Sequence, residues 1–394
     1  MPLPIEVQAG RGQLPGMPPA RFLRDYWQKR PLLVRGAFPG FKPPLTPDDL
    51  AGLACEETAL SRIVLRDARR DRWKLRSGPF AESDFAGLPE SHWTLLVQDV
   101  DKWDADVATL LDRFDFIPSW RIDDVMVSYA ADGGGVGAHL DQYDVFLLQG
   151  IGRRRWRIST DPRAPQAFRD DAELKLLREF RPTHEWVLQP GDMLYLPPGI
   201  PHEGTALGDC MTFSIGMRAP AVAEMTVAFA ERIAARLPES LRYADPDLHA
   251  RADHGEIDGA ALRRARAALG PLARMLDEES FADCFGRFIT AWRTARIASP
   301  QRRKPGAAAI AARLERSVFV RDPWSRFAWT RAGRGAVLYV AGEAHPCPVA
   351  WARALAGRAR RLDGARLARL PRRAEGARLL AALVSAGHLA VQRA

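Results

Sequence analysis

The sequence predicts a β-rich first half, a sandwich or barrel, followed by an α-helical C-terminal part. Three observations carry this reading. Short apolar runs separated by Gly, Pro and Asp clusters fill the chain to about residue 220. From Val222 to about Ile297 apolar residues instead recur three and four apart. After the linker-like "ASPQRRKPG" comes a mixed tail of helices and one hairpin. At 394 residues the chain is expected to hold two or three domains, drawn here as 1–220, 221–298 and 299–394.

The strand runs, in order, are "WTLLVQDV", "DDVMVSYA", "YDVFLLQG", "RRWRIS", "HEWVLQPGDMLYLPP" and "CMTFSIGMR". The helical stretch reads "AEMTVAFAERIAARL", "AALRRARAALGPLARMLDEE" and "FADCFGRFITAWRTAR". Apolar stripes of this kind need cover, from a second copy in a homodimer or from the chain's own barrel. The tail offers helices at 307–316, 349–359 and 373–386 around the hairpin "RFAWTRAGRGAVLYV", a winged-helix-like plan that binds DNA in some proteins and docks proteins in others.

No apolar run is long enough to span a bilayer, and "MPLPIEVQAGRGQLPG" lacks the charged-then-apolar pattern of a signal peptide, so a soluble, cytoplasmic protein is expected. The four cysteines, Cys55, Cys210, Cys284 and Cys347, show no CxxC pairing, which argues against a zinc ribbon or a disulfide framework. A net charge of +9 permits contact with nucleic acid or ribonucleoprotein, although an alanine- and arginine-rich composition gives the same number.

The chemistry concentrates in "GAHLDQYDVFLLQGIGRRRWRIS", from Gly137 to Ser159. It reads as two strands joined by a Gly-Ile-Gly turn. Strand alternation puts His139 and Asp141 on one face, two ligand-type groups projecting together. The same count sets Arg153, Arg155 and Arg157 on a solvated face and Arg154 with Trp156 and Ile158 on a buried one. A buried guanidinium needs an anion. Either a protein carboxylate or a ligand carboxylate is therefore owed to Arg154.

His139 and Asp141 supply two ligands of a 2-His-1-carboxylate triad, the arrangement that leaves positions open on Fe(II). His202 is the best third ligand, since "QPGDMLYLPPGIPHEGTAL" brings it into a strand that returns beside an earlier one. His184 is the rival. His92, His249, His254, His345 and His388 have no ligand partner nearby. The Gly-rich approach "DGGGVGAHLD" would let backbone come close to a ligand.

Together "FLRDYWQKRPLLVRGAF", "GGGVGAHLDQYDVFLLQGIGRRRWRI" and "GDMLYLPPGIPHEG" resemble the bacterial JmjC-type ribosomal oxygenases, which hydroxylate an arginine of ribosomal protein uL16. The similarity spans about residues 18 to 220. It implies a double-stranded β-helix, the cupin/JmjC jelly roll, with a helical dimerisation region and a winged-helix-like domain behind it. It implies Fe(II), 2-oxoglutarate and O2, with His139, Asp141 and His202 on the metal. Arg154 would grip the distal carboxylate of 2-oxoglutarate with Ser128 beside it, a hydroxyl that its own sheet could otherwise satisfy. Ser214 and Met211 are further candidates for lining that pocket.

An arginine substrate asks for acidic or aromatic groups at the mouth, for which Asp123, Asp124, Asp132, Tyr143 and Asp144 are candidates. The expected partners are uL16 as substrate and a second copy of the chain, with no membrane and no direct nucleic-acid contact. Two other readings use the same residues. One is a 2-oxoglutarate-dependent protein demethylase, the other a non-catalytic cupin sensor with a DNA-binding tail.

Overall fold

The computed structural model describes every residue except 1–3, 11–13, 15, 248–258, 271–277, 293–295, 297, 302–303, 358 and 394. Parts of the expected helical stretch and linker, with His249 and His254, therefore lie outside the described residues. The chain divides into two units, Met1–Ala219 and Pro220–Ala394. The expected segments 221–298 and 299–394 both fall in the second.

Ten strands build the first unit: β1 (Glu6–Gln8), β2 (Leu32–Arg35), β3 (Ser61–Asp67), β4 (Arg72–Ser77), β5 (Trp93–Val97), β6 (Ile122–Ala130), β7 (Val145–Ile158), β8 (His184–Leu188), β9 (Met193–Leu196) and β10 (His202–Met217). They pair in the order β1-β2-β9-β7-β10-β6-β5-β3-β4, and β8 adds to β7.

The long strands correct one expectation. Gly150-Ile151-Gly152 does not reverse the chain. β7 runs straight through it, exchanging β9 as neighbour over Val145–Leu148 for β8 over Arg154–Ile158, while β10 follows both halves. Gly152 has φ +63°, and a Cβ there would stand 2.0 Å from the Asp209 carbonyl. Pairing shifts register at this place, between Leu207 and Thr212. The glycines thus form a bulge at which two strands bend together, which a positive-φ glycine favours as readily as a turn.

His139 also departs from the expected strand. It makes a single antiparallel bridge to His202, inside a loop redirected by Gly133 (φ +69°) and Gly137 (φ +76°). The smallness of Gly134 and Gly135 serves close packing rather than ligand approach. A Cβ on each would lie 2.2 Å from the Trp93 carbonyl and 2.4 Å from the Gly204 carbonyl.

Alternation divides the sheet into two faces. Val125, Val127, Phe146, Leu148, Phe213 and Ile215 share a core with Phe22 of the helix Pro19–Asp25 and with Tyr26, which caps it. Each such fully buried side chain contributes about 1.5–3 kcal/mol. The other face holds Leu33, Leu147, Trp156, Ile158, Leu188 and Leu194, and also the polar residues Ser128, Gln149, Thr212 and Ser214.

In the second unit the helices Val222–Ala234 and Glu278–Ala291 meet through Phe229, whose ring is 5.2 Å from Phe281 and 6.3 Å from Phe288. Strands β11 (Ser317–Arg321), β12 (Phe327–Ala332), β13 (Gly335–Val340), β14 (Glu343–Cys347), β15 (Arg361–Asp363) and β16 (Leu389–Arg393) form two three-stranded sheets, β15-β11-β16 and β12-β13-β14. The expected hairpin is β12–β13. Helices Ala307–Arg313, Val349–Leu355, Gly364–Ala368 and Arg373–Ser385 share with these sheets a core around Phe319, Trp351 and Leu380.

Candidate metal and cosubstrate site

Ligand atoms of His139, Asp141 and His202 lie within 4.8 Å of one another, and this is the one such cluster of His, Cys, Asp and Glu among the described residues. The two histidines are held by reciprocal backbone hydrogen bonds, His139 N to His202 O at 3.0 Å and His202 N to His139 O at 2.8 Å. Asp141 is pinned by the Gly199 amide, which donates to its carbonyl at 2.7 Å.

Both imidazoles are oriented alike. Nδ1 of His139 is 3.0 Å from the Gly137 carbonyl, and Nδ1 of His202 is 2.8 Å from the Ile200 carbonyl. A carbonyl only accepts, so each Nδ1 carries the proton and each Nε2 keeps its lone pair. His202 Nε2 points at Asp141 Oδ2, 3.7 Å away. Burial, and then the neighbouring His139, push the His202 imidazole down to about 4, so it is neutral near pH 7. Two imidazoles and one carboxylate fit a divalent metal of borderline softness.

Arg154 is 3 % exposed, in line with the face count; Arg153 is exposed, while Arg155 and Arg157 are half-buried and Arg157 bonds Glu203. The Arg154 guanidinium donates to the Gly204 carbonyl at 3.2 Å, makes a long 3.5 Å contact with Ser128 Oγ, and lies 5.2 Å from the Trp156 ring centroid. Its Nε is buried without a partner, and no carboxylate among the described residues pairs with it. Burial therefore pulls the guanidinium below its usual range. Gly204 makes room for the stack, since a Cβ there would sit 2.7 Å from Arg154 Nε and 2.8 Å from the Trp156 ring.

Ser128 and Ser214 share the polar face, with Thr212 opposite Ser128 and Ser214 opposite Met126. Met211 does not join them. It is fully buried in the large apolar core with Phe213 and Ile215, because strand alternation sets these three on the face opposite Thr212 and Ser214. Sequence reasoning missed Gln149 and Thr212, both buried and joined by a 3.1 Å hydrogen bond, and the Cys210 thiol beside Arg154 and Gln149. Gln149 and Thr212 carry a signal only in hindsight, as polar residues within apolar strand runs.

His184 stands apart, at the start of β8, stacked on Trp186 at 5.6 Å. Of the mouth candidates, Asp144 is fully buried and accepts from Tyr195, Gln28 and Arg121; Asp123 pairs with Arg218 at 3.1 Å; Asp132 accepts from the Gly208 amide. Those three are occupied by the fold. Asp124 lies on the face of Ser128; its Oδ2 accepts from the Asp99 amide at 3.0 Å, and its Oδ1 is 3.2 Å from where a Cβ on Gly216 would be. Its carboxyl is raised to about 7 by burial, against Lys102 and with Asp99, Asp123 and Asp101. Tyr143 is 40 % exposed, and its hydroxyl is pushed up by burial and by the fields of Asp141 and Asp124. Tyr143 thus stands near both Asp141 of the triad and Asp124.

Comparison with known proteins agrees with this geometry. The JmjC domain matches residues 109–225, a ROXA-like winged helix matches 273–390, and an AraC-like ligand binding domain matches 182–276. The ribosomal protein uL16 3-hydroxylase of Escherichia coli K12 is 40 % identical over 269 residues, covering 68 % of this chain and 70 % of that protein. The chain belongs to the ribosomal oxygenase family. A probable ribosomal oxygenase of Haemophilus influenzae is 42 % identical over 203 residues, about half of each chain. Among solved ribosomal oxygenases, the X-ray structure of E. coli ycfD superposes with a TM-score of 0.82 at 35 % identity, covering 95 % of this chain and 98 % of that one. A structure of YcfD in complex with cobalt and 2-oxoglutarate gives 0.78 over the same coverage. The expected family and its jelly-roll and winged-helix plan therefore hold for this ribosomal oxygenase. No helix among the described residues is long and apolar enough to cross a membrane.

Proposed function

We propose that the chain is an Fe(II)- and 2-oxoglutarate-dependent oxygenase that hydroxylates an arginine of ribosomal protein uL16. The observation that carries this reading is Arg154, a buried cation without a protein anion, in the same barrel as an open His-Asp-His triad. His139, Asp141 and His202 would hold the metal. When bound, iron with 2-oxoglutarate and O2 supplies the power to oxidise an unactivated carbon. The chain's own residues do the rest. Arg154 and Ser128 receive the distal carboxylate and so orient the cosubstrate, Ser214 lines the same face, and Trp156, 6.0 Å from His202 between ring centroids, keeps water from the space between.

Asp124 and Tyr143 would receive the substrate guanidinium, whose arrival would draw the Asp124 carboxyl, raised to about 7, into its charged form, while Tyr143 offers an exposed ring for the flat face. In Asp124→Asn a charge-assisted hydrogen bond becomes a neutral one. The loss of about 1.5–3 kcal/mol should raise KM for a uL16 peptide about ten- to a hundredfold. KM for 2-oxoglutarate should stay put; an unchanged peptide KM would remove Asp124 from this role.

The helices Val222–Ala234, Gly259–Ala268 and Glu278–Ala291 would form a homodimer interface. Val222, Val227, Leu262 and Phe281 are 46–74 % exposed there, which water disfavours in a stable monomer. Light scattering at micromolar concentration should give twice the chain mass, and a monomer would rule the interface out. The site of action would be the cytoplasm, where ribosomal proteins are made. Mass spectrometry of uL16 from cells with and without this gene tests the function: loss of one oxygen's mass from an arginine peptide is expected, and an unchanged spectrum would refute the substrate.

A further inference from the structure

The chain's positive charge is not spread along it. Residues 353–394 hold ten arginines against only Asp363 and Glu375, a net +8 of the total +9, so the first 352 residues are nearly balanced. An arginine-rich composition alone would distribute the excess. Six of these arginines, Arg361, Arg366, Arg369, Arg372, Arg373 and Arg378, are exposed on consecutive short elements: edge strand β15, the helix Gly364–Ala368, the turn after it and the helix Arg373–Ser385.

Three of the six meet a carboxylate, two of them loosely. Arg373 pairs with Glu315 at 2.9 Å, whereas Arg366–Asp363 and Arg372–Glu375 are apart by 3.8 Å. Arg361, Arg369 and Arg378 have no carboxylate partner among the described residues. The last helix buries Ala377, Leu380, Leu383 and Val384 and turns Ala374, Arg378 and Ala382 outward, so small neighbours leave Arg378 free to reach a ligand. Between 359 and 382 no exposed residue is Asn, Gln or aromatic, the types that read base edges or stack on bases. The surface matches phosphates.

We propose that this arginine face docks structured RNA through its phosphodiester backbone, without sequence selectivity. This departs from the sequence expectation of no direct nucleic-acid contact. The choice of RNA rests on the uL16 reading above, because a ribosomal protein's surroundings are RNA. A ribosomal protein is itself basic, and this face would repel it rather than hold it.

The test uses the full chain and a fluorescent 20-base-pair RNA duplex, about two helical turns. About four phosphate contacts should weaken binding roughly a hundredfold between 50 and 200 mM salt. The variant Arg361→Ala/Arg369→Ala/Arg378→Ala should bind at least about tenfold more weakly at 50 mM salt, with the wild-type melting temperature and unchanged hydroxylation of a free uL16 peptide. No binding at 50 mM salt, salt-independent binding, full affinity in the triple variant, or tighter binding to a DNA duplex of the same sequence would each overturn the proposal. Salt-dependent RNA binding that the variant loses supports the face even where the peptide is not hydroxylated, so the two readings fail separately.

Discussion

Asp141→Ala protein is expected to lose iron and turnover together. Asp141 brings the only negative charge of the triad, and without it two neutral imidazoles must hold a dication by dipole alone. Altering a residue that merely orients a metal ligand typically costs ten- to a hundredfold in affinity, so losing a ligand itself should exceed about a hundredfold. The fold should barely respond, since the Asp141 side chain is 23 % exposed and its backbone, bonded by the Gly199 amide, is untouched. His139→Ala should behave alike. Anaerobic metal analysis and succinate formation are the readouts, with the melting temperature as control. Full iron occupancy and normal turnover in either variant would remove that residue from the site.

Arg154→Lys should shift the 2-oxoglutarate titration about ten- to a hundredfold to the right while leaving iron binding intact. The planar guanidinium offers two parallel donors to a carboxylate, and an ammonium on a flexible stem replaces them with one contact. The lost charge-assisted hydrogen bond is worth about 1.5–3 kcal/mol. Arg154→Met sharpens the case. With no protein carboxylate to strand, removing a buried, unpaired cation should leave the ligand-free protein melting at or above the wild-type temperature while 2-oxoglutarate no longer binds. A large drop in melting temperature with unchanged cosubstrate affinity would instead mean that Arg154 is structural.

The candidate metal site was legible because its residues are unusual in a strand-rich context. A histidine two residues before an aspartate, a second histidine after "PPGIP" and an arginine among core residues each demand a partner; the first three meet one another, and the arginine is left for a ligand anion. The route by which they meet was not legible. The glycines at 150–152 carry the same letters whether the strand turns or bulges, and only the passage of β10 along both halves of β7 decides it. Met211 needed no such knowledge: strict alternation from Thr212 already sets it opposite Ser214, with Phe213 and Ile215 in the apolar core, so Met211 and Ser214 could not line one pocket. Strands β1–β4 also escaped notice. Arg72, Lys74 and Arg76 punctuate an edge strand whose residues are exposed or half-buried, so the apolar signal is thin. Asp124 is set apart from Asp123 and Asp144 by having no arginine partner, and from all the others by a carboxyl raised to about 7, neither of which the letters show.

The unpaired guanidinium of Arg154 has a consequence for how long the molecule survives. A ligand that binds only the folded chain stabilises it by RT ln(1 + [L]/Kd), about 2.7 kcal/mol at a hundred times Kd. Here the ligand would also bring the anion that the barrel lacks. When 2-oxoglutarate is scarce, the fraction of chains open to proteases rises, and by up to about a hundredfold at that saturation. The metabolite's concentration would thus govern the enzyme's abundance as well as its rate, and a cell short of carbon would shed the protein along with its activity.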